Sequence, residues 1–160
     1  MRHPRCHAAA LIASVIPLIA LSASRAAPPG FTEATITEAV NRVEILSGAR
    51  RGPARRGPRV TVQDAVSTGA RSRAELVFPD RTLARLGSNS IFSFHAESRA
   101  FDLRQGCVLF HCPKGLGGGQ IRPAAVTAGI TGTTLNVAAT QNGGFTWLVL
   151  GGSRPIRRAT

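Results

Sequence analysis

Acidic residues are scarce in this chain. Eight aspartates and glutamates stand against 20 lysines and arginines in 160 residues, for a net charge of +12. The carboxylates, at 33, 38, 44, 64, 75, 80, 97 and 102, are dispersed. Glycosidase chemistry needs two carboxyl groups held roughly 5–10 Å apart, and nothing in this spacing promotes such a pair, although strand pairing could still create one. Lysine is almost missing: Lys114 is the single one. The arginine bias reflects codon composition as readily as phosphate chemistry. The high charge is therefore a weak functional signal, one that permits contact with anionic headgroups, polysaccharide or an acidic partner.

A long apolar run is also lacking. The 16 residues from Ala8 to Ala23 carry no charge, contain Pro17 and follow Arg2 and Arg5. A membrane-spanning helix needs roughly 20 such residues. A basic start, a short apolar stretch and the small–x–small triplet Ser24-Arg25-Ala26 instead describe a secretory signal peptide over 1–26. Its removal leaves 134 of the 160 residues and takes Arg2, Arg5 and Arg25 with it, lowering the net charge from +12 to +9. A chain of that size buries enough surface to fold without staples.

Cysteine is sparse. With Cys6 in the leader, Cys107 and Cys112 remain, an even pair in an oxidising compartment. Both lie in an apparent strand, however. Five steps of extended chain separate their Cα atoms by roughly 16 Å and send them to opposite faces, so a mutual disulfide is not expected. Cys112 shares the apolar face of Val108 and Phe110. Cys107, His111, Cys112 and His95 make a poor metal set, because neighbouring strand residues point apart. His95 and His111 are expected as exposed strand or turn residues.

The usual catalytic and nucleotide motifs are missing as well. Gly87-Ser88-Asn89-Ser90-Ile91 lacks the last glycine of a nucleophile elbow and reads as a turn with solvated serines. Gly115-Leu116-Gly117-Gly118-Gly119 lacks the Lys-Ser/Thr ending of a phosphate loop and reads as a connector. No helical periodicity follows residue 27.

What the chain does contain is short alternating apolar runs at spacings of 8–12 residues, the pattern of an all-β fold. Candidate strands are Val40–Leu46, Arg59–Val62, Ala74–Phe78, Thr82–Leu86 and Ile91–Phe94. Others include Phe101 and Leu103 up to Gly106, then Val108–Cys112, then Val126, Ala128 and Ile130. Leu135 with Val137, and Phe145, Trp147 and Val149, complete the set. Leu76, Leu86, Phe92, Leu103 and Phe110 would stack in one core, in either a β-solenoid-like coil or a two-sheet sandwich. The expected organisation is a leader over 1–26 and a flexible arm over 27–39. One small β domain over 40–150 and an Arg-rich tail over 151–160, compatible with a truncated end, would follow.

Between Gly48 and Arg59 lie Arg50, Arg51, Arg55, Arg56 and Arg59, interleaved with two prolines and three glycines. This composition describes an exposed loop, excluding a helix or a central strand. Clustered arginines make it a candidate polyanion patch, while the absence of aromatics for base stacking argues against nucleic acid.

Several segments in order carry a family resemblance. They are Val66–Leu76, the Phe78-Pro79-Asp80 turn, Leu83–Gly87, Asn89-Ser90, Phe101–Gly106, Val108–Phe110, Pro113–Gly115 and Val126–Thr134. Together this set resembles the FecR domain. The resemblance implies an all-β extracytoplasmic domain in which Gly69, Asp80, Gly87, Gly106, Gly132 and Thr133 are structural punctuation. It implies no catalytic group, cofactor or metal.

The best-known members are inner-membrane regulators that sense a TonB-dependent receptor and control a sigma factor. This chain shows no cytoplasmic segment ahead of its apolar run, and Arg81 stands where the family turn usually has glycine. It looks closer to short exported proteins carrying the domain alone. The expectation is a non-enzymatic periplasmic or secreted interaction module whose partner is an envelope protein or a surface polymer, with membrane contact during export only. An accessory role in FecR-type signalling is the alternative. Surface binding through Arg50–Arg59 is a second.

Overall fold

The computed structural model describes residues 30–151 apart from 97, 117, 124–127, 131, 141 and 143. The leader, the end of the tail and the Val126-Thr127 part of the family-like run lie outside the described residues. No helix occurs among them. Thirteen strands form one curled, open sheet.

In chain order they are β1 (Glu33–Val40), β2 (Val43–Ser47), β3 (Arg50–Pro53), β4 (Arg59–Thr61), β5 (Asp64–Thr68), β6 (Arg73–Val77) and β7 (Leu83–Leu86). β8 (Ile91–His95), β9 (Ala100–His111), β10 (Gly119–Pro123), β11 (Ala128–Ile130), β12 (Thr134–Ala139) and β13 (Phe145–Gly151) follow.

The sheet has two halves joined through β9. One half runs β4-β1-β6-β7-β9-β12-β13, and the other β3-β2-β5-β8-β9-β10-β11. Ala100–Gln105 of β9 pairs with β8, whereas Gly106–His111 pairs with β7 and β12. Neighbours are antiparallel throughout except β9 with β10. Alternating apolar residues on each strand turn inward and meet as one core. Phe101 from one half of β9 and Phe110 from the other have ring centroids 4.3 Å apart. Phe78 and Phe92 pack on Phe101, and Phe94 packs on Phe78. Each fully buried ring contributes roughly 1.5–3 kcal/mol. Leu76, Leu86, Phe92, Leu103 and Phe110, expected to share a core, all do so.

Several stretches differ from the sequence reading: Asn41-Arg42 is a corner inside the run read as a strand over Val40–Leu46, and β5 and β10 were not among the candidate strands. The arm expected over 27–39 contains β1, which lies between β4 and β6 with Ala34 and Ile36 buried. The register shift between Ile36 and Glu38 breaks its alternation and hides the strand. The stretch read as a loop over Gly48–Arg59 contributes β3 and the start of β4, each an edge strand with one partner among the described residues. Edges are where proline and glycine are tolerated, because one row of backbone groups needs no mate. Finally, the run expected to end at Gly106 continues through it as a single 12-residue strand.

Candidate functional site

Four of the corners at which the chain passes between the two halves are Asn41-Arg42, Gly69–Ser72, Gly87–Ser90 and Gly106. These corners stack. Gly69 N donates to Arg42 O, Asn89 N to Gly69 O, and Gly87 N to Cys107 O, at 2.9–3.0 Å. Ser90 is at the centre of the stack and is fully buried, which corrects the reading of this turn serine as solvated, whereas Ser88 is exposed. Its Oγ donates within reach of Gly87 O and Cys107 O at 3.0 and 3.1 Å, and accepts from Cys107 N at 3.0 Å. Thr68 Oγ1 accepts from Ser90 N at 2.9 Å and donates to Gly87 O at 2.6 Å. The hydroxyl satisfies corner backbone and has none of the base contacts of an activated nucleophile.

Gly106 bends β9 at φ +86°, and a methyl group on it would fall 2.3 Å from Ser90 Oγ. At Gly87 the same addition would meet Cys107 Sγ at 2.2 Å. Gly69 lies against the Arg42 side chain, and Gly132 against Lys114. Thr133 accepts through its carbonyl from Cys112 N and donates from Oγ1 to Gly151 O, tying the start of β12 to its neighbours.

Asp80 belongs to a second structural centre. It occupies the third position of a turn closed by Arg81 N to Phe78 O at 2.9 Å, so Phe78 opens that turn and Asp80 does not. Asp80 Oδ1 accepts from Thr82 N, and Oδ2 from Arg99 Nη2 at 2.6 Å. Arg81 has φ +65°, the left-handed conformation that explains glycine's suitability there. Arg99, which the sequence reading did not single out, is buried. Its Nε donates to Gly118 O at 2.6 Å, and its guanidinium stacks 4.0 Å from the Phe31 ring centroid. The residue thus joins the segment before β1, the β6–β7 turn and the approach to β10.

The remaining described carboxylates are also engaged. Glu33 pairs with Arg59, Glu38 with Arg73, Glu44 with Arg42 and Asp102 with His95. Hydrogen bonds from Arg85 and Thr37, strengthened by the Arg85 charge, hold Glu75 below its ordinary pKa despite partial burial. Burial pushes Asp64 up, but hydrogen bonds from Ser47 and from the Thr61 amide and hydroxyl outweigh it and leave Asp64 lowered. Cys107 and Cys112 are free, with Cys112 buried beside Val108 and Phe110. His95 and His111 are exposed, and His111 Nδ1 lies 2.8 Å from Thr134 Oγ1. Among the described residues, no three His, Cys, Asp or Glu side chains converge as a metal site.

Two surfaces stand apart from this internally satisfied structure. At one end of the sheet, Arg50, Arg51, Arg55, Arg56 and Arg59 are all exposed on or between β3 and β4. Arg59 is held by Glu33 at 3.1 Å. The other four are spread along a charged edge. At the opposite end of the half that contains β4, β13 pairs among the described residues with β12 alone, and Leu148, Val149 and Leu150 are 56%, 44% and 55% exposed. Leu148 is opposite Asn136, while Trp147 and Val149 are opposite the buried Val137 and Leu135. Both faces of this edge strand are therefore apolar. From Thr134 to Gly151 there is no charged residue.

The fold is that of an all-β domain. A family model described as FecR protein matches residues 64–153, more than half of the chain, and the chain belongs to the FecR protein family. The match opens at β5 and includes β13, while β1–β4 with the arginine-rich edge precede it. No curated protein and no solved structure matches the chain.

Proposed function

We propose that this chain is a non-catalytic interaction module of the bacterial envelope that recruits its partner by strand addition at the β13 edge. The carrying observation is β13 itself: an edge strand with one mate, apolar on both faces and without charge. Unpaired backbone groups supply affinity in strand addition, and alternate side-chain pockets supply specificity. Membership of the FecR family supports an envelope protein as the partner and a periplasmic or secreted location, reached through the signal peptide over 1–26. An accessory role in FecR-type signalling to a receptor and a sigma-factor regulator is compatible with the same edge. A non-enzymatic role is supported by the described carboxylates, each engaged in an ion pair or hydrogen bonds.

The test is capture from envelope extract by the purified protein and by its Leu148→Lys variant. A partner retained by the first and lost by the second supports the reading. Equal capture by both, or capture by neither, contradicts it. A second reading, binding of anionic surface polymer, is favoured by the exposed arginines of β3 and the β3–β4 connection. Binding to heparin-agarose that survives replacement of Arg50, Arg51, Arg55 and Arg56 by glutamine would remove it.

A further inference from the structure

Resting on the strand-addition reading, we propose that the β13 edge also pairs with β13 of a second copy of this chain, in an antiparallel dimer that competes with the envelope partner. An edge strand presents a row of unpaired N–H and C=O groups that any compatible strand can complete. What makes a second copy compatible is the distribution of charge. The chain carries +12, so two copies repel wherever their charged surfaces meet. At β3 and β4 the edge itself bears Arg50, Arg51 and Arg59. Like-charged groups meeting there would disfavour self-pairing.

The β12–β13 hairpin is different. Its 18 residues, Thr134–Gly151, hold no charged side chain. In the half of the sheet that contains it, β13 is at the opposite end from β4, with β12, β9, β7, β6 and β1 between them. Two copies meeting through β13 therefore keep their arginine-rich edges apart while placing neutral strands together.

The side chains agree with the charges. A two-fold contact is self-complementary, and it sets the two strands antiparallel. Pairing would add a neighbour for Leu148 on the outer face and for Trp147 and Val149 on the inner face, where the sheet of one copy now stops. Among the described residues of β13 an acidic partner would find no cation to match. A second β13 matches its neutrality and its apolar character on both faces.

Sedimentation equilibrium on the purified protein over about 1–100 μM tests this. The expected result is a monomer–dimer equilibrium for the native protein that tightens as salt screens the net charge. Leu148→Lys should weaken it at least about 100-fold, because it sets two ammonium groups near the two-fold axis. Leu150→Lys, also at an exposed position, serves as the second variant, with circular dichroism confirming that each variant keeps its strand content. A native protein that stays monomeric throughout overturns self-pairing. A dimer that survives both lysines overturns it too, by placing the contact elsewhere. Neither result touches the capture experiment, which reads the heterologous partner separately.

Discussion

The two ends of the sheet face the same backbone problem and meet it differently. β3 and β4 close one end with arginines, and β3 adds Gly52 and Pro53. Such residues discourage further pairing, since charge repels and proline offers no N–H. In the half that contains β4, β13 closes the other end with Phe145, Trp147, Leu148, Val149 and Leu150 and has no charge, while the three-residue β11 ends the other half. The difference shows where the molecule leaves room for another strand. It also separates the internally satisfied structure from the edge at which we propose binding. The corner stack and the Arg99 cluster are satisfied within the fold, and the open valence is at an edge.

The most forceful way to break this comparison is to uncouple the ends at β9. Gly106→Ala places a methyl group 2.3 Å from Ser90 Oγ at a backbone φ of +86°. The expected loss is about 3 kcal/mol or more, read as a lower denaturant midpoint. Retention of native stability would show that β9 does not bend where the structure bends it. Next comes Arg99→Met, which leaves Asp80 Oδ2 without its 2.6 Å partner and removes the stack on Phe31. About 3 kcal/mol should be lost, as for other broken buried pairs. A milder result from Asp80→Asn combined with Arg99→Met than from Arg99→Met alone would sharpen the assignment, because the stranded charge is then gone.

A smaller effect is expected from acid. Glu75 bridges β1 and β7 from β6, and Asp64 ties β5 to β2 and β4. Both titrate below their ordinary values in the folded state. Their contribution is thus complete above the ordinary carboxylate range and disappears as pH falls through the lower, folded values. The exposed Arg85 side chain limits the Glu75 contribution to about 1 kcal/mol. β12 and β13 carry no titratable group, so acid should loosen the β1–β7 end first. Peptide-level hydrogen exchange between pH 6 and pH 3 reads this directly, and Glu75→Gln should flatten the response. Smallest of all is the stability change from Arg50→Gln with Arg51→Gln, within about 0.5 kcal/mol. That variant should nevertheless be more prone to associate through β3, a change visible by light scattering.

The strands with clean alternation, such as Ala74–Phe78 and Ile91–Phe94, and the shared burial of their apolar residues could be read from sequence. Other elements could not, for identifiable reasons. β1 loses its period at the shift between Ile36 and Glu38. β3, Arg-Arg-Gly-Pro, buries almost nothing of its own and exists because Glu44–Ser47 of β2 offers it a ladder. Ser90 looked solvated because a turn serine usually is. Its burial follows from four corners stacking, which is a property of the topology. Arg99 gave no local sign at all, since Asp80, Gly118 and Phe31 converge on it from distant segments. The β13 run was legible as a strand, whereas its place at an edge depends on which strands flank β9.

Hydrogen exchange at two protein concentrations tests the contrast between the ends most directly. Backbone amides of Phe145–Gly151 should gain protection as concentration rises, while those of Arg50–Gly52 stay unchanged. Equal gains at both edges, or a gain confined to Arg50–Gly52, would contradict it.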